Sequence, residues 1–373
     1  MAVVKEMRTW GMRNEVKRNG PTGLFFCCRR MMAWMHFSLI FLFPHFSFPI
    51  HTQAQQLTQV ELNSENLYDC RHDSLKQDTE WLPASVRKWT PARYWSKLNR
   101  IGQEIIASSA DSVTHQLPDL VALVEVENDS VLRDLTRRSL LRHAGYEYLM
   151  TESPDLRGID VALLYQPFAF RPVCYDYFAI APLEGMRPTR DILYVKGETV
   201  GGDTLHVFVV HAPSRYGGER QTRANRRMVA DRLLAEVENI RRSEPSPKVI
   251  VAGDFNDYAD SPALQHLAAN GLHNVTAGVT GRHSRAKRTG RVKGTYRYQG
   301  QWQSIDHVLV SSELADAVEE VFINDAPFLL EEDKKYGGVK PLRTYNGMRY
   351  QHGFSDHLPL VVRFQMPAAA FLR

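Results

Sequence analysis

Polar and apolar positions along the chain follow two rhythms. Some short stretches alternate with period two or are apolar throughout, as strands do, and longer ones repeat apolar residues every three or four positions, as amphipathic helices do. The clearest strand is the uncharged run VIVAG at 249–253, small and β-branched enough to lie buried on both faces. It delivers Asp254, Asn256 and Asp257 at its carboxyl end, where α/β sheets place ligands and chemistry. Further strands are predicted over 60–63, 119–127, 146–150, 159–165, 191–196, 205–210, 303–311 and 358–364. In the segment DLVALVEVEN, alternation sets Leu120, Ala122, Val124 and Val126 on one face and Val121, Leu123, Glu125 and Glu127 on the other, so two carboxylates point the same way.

Helices are signalled by their starts and stripes. Thr90 before Pro91 opens one that continues through Trp95, Leu98, Ile101 and Ile105, and Asn128 or Asp129 caps a second through His143. A long one over 219–242 buries Met228, Leu233, Leu234, Val237 and Ile240 with arginines opposite, and Ser261–Pro262 starts a short one. Residues 69–87 read as loop. No composition break or linker divides the chain after residue 54, which suggests a single domain over 55–373. Hairpin-like strand pairs interrupt any strict βαβ repeat, so two packed sheets with outer helices suit the pattern better than one open sheet.

Charge changes the picture only through its distribution. The formal net charge of +4 would suggest a polyanionic partner, but residues 1–54 carry Lys5, Arg8, Arg13, Lys17, Arg18, Arg29 and Arg30 against Glu6 and Glu15. Taking these from the 46 basic and 42 acidic residues leaves 39 and 40, a near-neutral remainder. The charge-free segment 33–50, AWMHFSLIFLFPHFSFPI, followed by Thr52, Gln53 and Ala54, fits a leader with a small-x-small cleavage site, and its prolines argue against a permanent span. The expectation is an exported protein, periplasmic or extracellular, without its first 54 residues. Of the four cysteines, Cys70 and Cys174 lie beyond that leader, as a disulfide or as two free thiols.

Polar groups recur at separated strand ends: Asn63 with Glu65, Glu125, His211, Asp254 with Asn256, and Asp306 with Asp356 and His357. Each alone has a plain reading as a turn, a cap or a solvated pair; their recurrence at strand ends gives them a common purpose. Hard oxygen donors such as Glu125, Asn63, Glu65 and Asp356 suit magnesium or manganese, with calcium a third candidate, rather than zinc. A histidine paired with a carboxylate is held in one tautomer and can act as a base or stabilise developing charge, the equipment of phosphoester hydrolysis.

The motifs NSENLYD (63–69), LVEV (123–126), RGIDVALLY (157–165), HAPSR (211–215), GDFND (253–257), SIDHVLVS (304–311) and SDHLPL (355–360) stand in an order that resembles the endonuclease/exonuclease/phosphatase superfamily, which includes deoxyribonuclease I. The resemblance implies a four-layer α/β sandwich of two mixed sheets between helices. It implies that Glu125 is the principal metal ligand, aided by Asn63, Glu65 and Asp356. Asp254 would orient or deprotonate water, Asn256 hold the phosphate, His211 contact phosphoryl oxygens, and Asp306 bond His357, which would stabilise the transition state or act as base. The family often has Gln before the metal-binding Glu, whereas this chain has Val124.

Substrate is less legible. The segment 282–302 gathers seven Lys and Arg residues with Tyr296, Tyr298 and Trp302, enough to bind a polyanion by charge and stacking or else to form a solvated loop. Arg215, beside His211, is the candidate phosphate contact. The expectation is a metal-dependent phosphoesterase acting on phosphodiesters of nucleic acid or phospholipid headgroups. Monoesters of sugar or inositol phosphates come second, and a catalytically inactive surface binding protein is the reading from another class.

Overall fold

The computed structural model describes residues 5–6, 55–109, 116–283 and 291–366. Apart from Lys5–Glu6, the leader expected over 1–54 lies outside the described residues. In chain order, β1 (Lys5–Glu6) is followed by β2 (Gln55–Leu67), α1 (Pro91–Ala107), β3 (Leu120–Val126), α2 (Asp129–Arg137) and β4 (Glu147–Met150). Next come β5 (Asp160–Tyr165), β6 (Phe170–Phe178), β7 (Ile192–Thr199), β8 (Thr204–His211), α3 (Glu219–Ser243) and β9 (Lys248–Asp254). α4 (Pro262–Ala269) and β10 (Leu272–Asn274) lead to the hairpin β11 (Tyr296–Tyr298) and β12 (Gln301–Gln303), then β13 (Asp306–Ser311), α5 (Ser312–Ala315) and β14 (Val318–Ile323). Two small hairpins, β15 (Leu330–Glu332) with β16 (Val339–Pro341) and β17 (Tyr345–Asn346) with β18 (Arg349–Tyr350), precede β19 (Leu360–Met366).

The strands form two mixed sheets. One has the order β14-β19-β2-β3-β5-β4 and the other β1-β6-β7-β8-β9-β13-β10, and in each a central parallel pair, β2/β3 or β8/β9, sits among antiparallel neighbours. One apolar cluster fills the space between the sheets with residues such as Ala122, Val124, Val207, Ile250 and Val362. A second lies under α1 and α2 on the outer face of the first sheet, and a third under α3 and α4 on the outer face of the second. This is the four-layer sandwich expected from the sequence.

Three local departures have physical causes. β3 alternates as expected as far as Val124. There Glu125 enters the left-handed region at φ 63°, and the register against β5 skips a residue. That bulge reverses the parity of the strand, so Val126 joins Val121 and Leu123 on the helix side instead of Leu120, Ala122 and Val124 between the sheets. Glu125 and Glu127 therefore do not form a pair: Glu127 accepts the Asp69 backbone N–H at 2.6 Å, and burial raises its acid to about 8. The helix expected to reach His143 ends at Arg137, followed by a 3₁₀ turn over Leu140–His143 whose cap is Ser139. β6 was not predicted, because Arg171, Pro172 and Asp176 break its apolar alternation.

Cys70 and Cys174 are both free thiols, so the disulfide alternative fails. Among the described residues no helix is long and apolar enough to cross a membrane.

Candidate active site

Three adjacent strands of the second sheet bring the polar ends together. Parallel pairing of β8 with β9 sets His211 beside Asp254, and antiparallel pairing of β9 with β13 sets Asp254 beside Asp306. Gly253 is required just before this row: a Cβ there would stand 1.8 Å from the Val210 carbonyl oxygen. From the first sheet, a bulge at the end of β2 places Glu65 and Asn66 at φ 51° and 56° and frees Asn63 to face inward. Asn63 Nδ2 donates to Asp254 Oδ2 at 3.2 Å, which ties one sheet to the other. Ser355 Oγ donates to the Asn63 carbonyl at 2.6 Å and accepts the His357 N–H at 3.1 Å, so the loop before β19 is locked to the same point.

The result is one buried cluster. Asp254, Asp306 and His357 offer ligand-type atoms that all lie within 4.8 Å of one another. His357 Nδ1 meets Asp306 Oδ2 at 2.8 Å, Thr295 Oγ1 donates to the same oxygen, and the Tyr296 ring covers the imidazole with centroids 4.8 Å apart. Asp254 Oδ1 accepts the Asn256 N–H at 2.7 Å, and Asn256, itself at φ 50°, turns its amide onto the Ala212 carbonyl at 3.1 Å. His211 Nε2 stands 3.8 Å from Asp254 Oδ2 and 4.0 Å from Glu125 Oε1, while its Nδ1 is buried without a hydrogen bond.

These surroundings separate the protonation states. Burial, and then the Asp306 charge, raise Asp254 to about 7, against the opposing pull of His357. Burial alone would lower His357, but Asp306, with Asp356 and Asp254, holds it well above the ordinary histidine value. Burial and the charges of Arg190, Arg157 and His357 push His211 well below it, so that ring is neutral near pH 7. With Nδ1 unpartnered and two carboxylates facing Nε2, the neutral tautomer is the one carrying the proton on Nε2.

Several cations border the cluster that the sequence had not singled out. Arg157 lies 3.6 Å from Glu125 Oε1 and donates to Asn66 Oδ1; it falls inside the RGIDVALLY motif, where only its neighbours' strand character had been read. Arg190 pairs with Asp155 at 3.1 Å and donates to the Ala212 carbonyl at 2.8 Å. Arg343 bridges Glu65 and Asp356, with Nε to Glu65 Oε1 at 3.1 Å and Nη2 to Asp356 Oδ2 at 2.6 Å. Lys97, on the buried face of α1, donates to Thr344 Oγ1 at 2.7 Å and lies 3.8 Å from Glu65 Oε2. A lysine among apolar helix positions gives no sign in sequence that it points inward.

The donor atoms fit a hard divalent ion. Asp306 Oδ1 is buried without a hydrogen bond, and Glu125 holds one oxygen on the Asn66 N–H at 2.9 Å while Oε1 carries none. Asn63 Oδ1 accepts only the Glu65 N–H, at 2.9 Å, which leaves it a second lone pair. Glu65 Oε1 and Asp356 Oδ2 each accept a hydrogen bond from the Arg343 guanidinium.

Other expected residues lie at the margin. Arg215 donates to Gln303 Oε1 and packs over the Tyr258 ring at 4.7 Å, joining the HAPSR turn to the β11–β12 hairpin. Asp257 forms a buried ion pair with Arg226 Nε at 2.9 Å, which places an arginine of α3 in the interior where the stripe reading had all of them opposite. In the basic segment, Arg282 pairs with Glu320 at 3.5 Å, Arg291 donates to Thr280 at 2.9 Å and Arg297 donates to the Gly337 carbonyl at 2.7 Å. Arg285, Lys287 and Arg288 lie outside the described residues.

Over residues 59–366 the chain matches the model of the Endonuclease/Exonuclease/phosphatase family. The chain belongs to that family. Membership makes it, by class, a hydrolase of phosphate esters. Solved structures of similar fold include an endonuclease/exonuclease/phosphatase family protein from Bacteroides thetaiotaomicron, 14% identical, with 84% of this chain and 99% of that one covered and a TM-score of 0.53. A mannosyl-6-phosphatase from the same organism is 16% identical over 82% and 98% of the two chains, again with a TM-score of 0.53. At such identities the likeness is one of fold. No curated protein matches the chain.

Proposed function

We propose that this family member is a divalent-metal-dependent phosphoesterase that hydrolyses phosphodiesters by in-line attack of an activated water. The observation that supports it most is the Asp254 carboxyl, raised to about 7 and held by Asn63 at 3.2 Å and the Asn256 N–H at 2.7 Å beside the His357–Asp306 pair. A carboxylate near neutrality is matched to removing a proton from water at physiological pH. Asp254 takes that proton as the water oxygen bonds phosphorus, and the ester oxygen departs on the far side. His357, charged and fixed by Asp306, donates toward the phosphoryl oxygens. Neutral His211 donates to them through Nε2, and Arg157 and Arg215 supply fixed positive charge at the rim.

Glu125 and Asn63 would hold the ion, magnesium or manganese, which supplies charge neutralisation on the phosphoryl group when bound. The leader makes export part of the same proposal; amino-terminal sequencing of protein from the outer fractions of its host tests it, and an uncleaved chain confined to the cytoplasm refutes it.

The deciding assay is release of p-nitrophenol from bis-p-nitrophenyl phosphate with magnesium or manganese. Activity that D254A or H357A does not abolish, or none at all, sinks the reading. The phosphatase of similar fold makes sugar phosphomonoesters the second substrate class, so mannose 6-phosphate and p-nitrophenyl phosphate belong in the same assay beside DNA, RNA and sphingomyelin.

A further inference from the structure

The β11–β12 hairpin presents two faces. Tyr296 and Gln303, directly opposed across it, face the catalytic side: the Tyr296 ring covers His357, and Gln303 accepts a hydrogen bond from Arg215. Arg297 and Trp302 form the next opposed pair, so strand alternation sets them on the reverse face. There Arg297 reaches the β15–β16 hairpin, donating to the Gly337 carbonyl at 2.7 Å and to the Val339 carbonyl, with Asp333 Oδ2 3.7 Å from its Nε. Its guanidinium also lies over the Trp302 ring, 5.4 Å from the centroid. At the tip, a Cβ on Gly300 would come within 2.6 Å of Tyr336 Cβ, so the hairpins meet closely at that end.

Between them a cavity of about 410 Å³ remains, within the range of about 300–1,000 Å³ usual for small-molecule sites. Arg291, Lys293, Arg297 and Trp302 are among the residues that line it, and no Asp or Glu is. Its charge is not balanced. Asp333 stands beside Arg297, but among the described residues Arg291 meets the neutral Thr280 Oγ1, at 2.9 Å, and the exposed Lys293 ammonium has no partner. The Arg297 side chain is only 7% exposed and its Nε is buried without a hydrogen bond, so one donor of the wall itself lacks an acceptor. Uncompensated cations on one concave wall repel each other and raise the local potential, and an anion placed between them relieves both effects.

We propose that this cavity is a second anion site, on the reverse face of the hairpin from the catalytic cluster, which takes a phosphate-type oxyanion between Arg291 and Lys293. Trp302 offers the surface on which the sugar or base of a phosphate ester packs. Free phosphate and a phosphate of a nucleic-acid strand share this chemistry. Neither depends on which ester the catalytic cluster cleaves.

The test is binding to the chelator-treated full chain, with pyrophosphate followed by calorimetry and a fluorescein-labelled oligothymidylate followed by anisotropy. R291Q/K293Q alters two exposed side chains and should leave hydrolysis of bis-p-nitrophenyl phosphate within about twofold of wild type. It should weaken binding of at least one ligand tenfold or more. A loss confined to pyrophosphate identifies a free anion as the occupant. A loss for the oligothymidylate, with the slope of log Kd against log salt reduced by about 1.4 for two lost contacts, identifies a nucleic-acid phosphate. R291K/K293R, which keeps both charges, should stay within tenfold of wild type. A loss smaller than tenfold for both ligands in R291Q/K293Q, a tenfold loss in R291K/K293R, or no saturable binding of either ligand by the wild type overturns the proposal. A wild type that binds but hydrolyses nothing would sink the function proposed above and leave this site standing.

Discussion

Asp306 spends one carboxylate oxygen on Nδ1 of His357, at 2.8 Å, and keeps the other buried without a hydrogen bond. The ion pair fixes the ring and, with Asp356 and Asp254, outweighs the burial that would otherwise discharge it. Replacing Asp306 by Asn keeps the shape and removes the charge. The expected outcome is a fall in kcat of about 10²- to 10⁴-fold, the range for a positioned acid or base. The alkaline limb of the rate profile should also move toward neutrality, because His357 loses the nearest of the charges that keep it protonated. A D306N profile with its alkaline limb unmoved would show that Asp306 only supports the fold.

Asp254 ties activity and stability to pH in opposite senses. Its folded value of about 7 lies above the ordinary aspartate value, about 3.9 in an unfolded chain. The stability it contributes is therefore fully present below about pH 4 and is lost as pH rises through about 7. Calorimetry of metal-free wild type and D254N from pH 4 to 8 should show the wild-type melting temperature falling relative to the variant across that window, while wild-type activity rises through it. A difference that stays flat with pH would place Asp254 at an ordinary value.

Metal removal offers a simpler check. Dialysis against a chelator should abolish hydrolysis of bis-p-nitrophenyl phosphate, and magnesium or manganese should restore it. Full activity in the presence of excess chelator would exclude the metal-dependent scheme.

The Arg226–Asp257 pair lies far enough inside that it should behave as a buried salt bridge. Both side chains are almost wholly enclosed, with Arg226 also donating to Thr222 Oγ1 at 2.7 Å. Removing one partner leaves the other charged and unpaired, so D257A should cost about 3–5 kcal/mol in urea unfolding. A loss below about 1 kcal/mol would mean that water reaches the orphaned arginine.

The two packed sheets and the row of polar strand ends were legible because they follow from simple periodicity. Buried strands with polar ends, such as the one running into Asp254, declare both their path and their cargo. What escaped the sequence was whatever departs from that periodicity. The bulge at Glu125 displaced Val126 to the opposite face, since alternation has no means of counting an extra residue. Lys97 and Glu104 lie buried on α1 among Leu98, Ile101 and Ile105, and charged residues in an amphipathic helix are ordinarily read as its wet side. Glu61 is buried on β2, its carboxylate without a hydrogen bond and held well above the usual value by burial and by the Asp306 and Asp254 charges. Arg343 sits between the two small hairpins β15–β16 and β17–β18, where no motif marks it.

The bulges near Glu65 and Glu125 act on the strands as a phase shift does on a wave. On β3, the residues before the interruption pack between the sheets in one parity, and Val126 after it packs in the other. Pattern is thereby uncoupled across the site: beyond the bulge a side chain takes its face from the interruption and not from the alternation of the core strand. The strand thereby serves two layers of the sandwich with one continuous backbone.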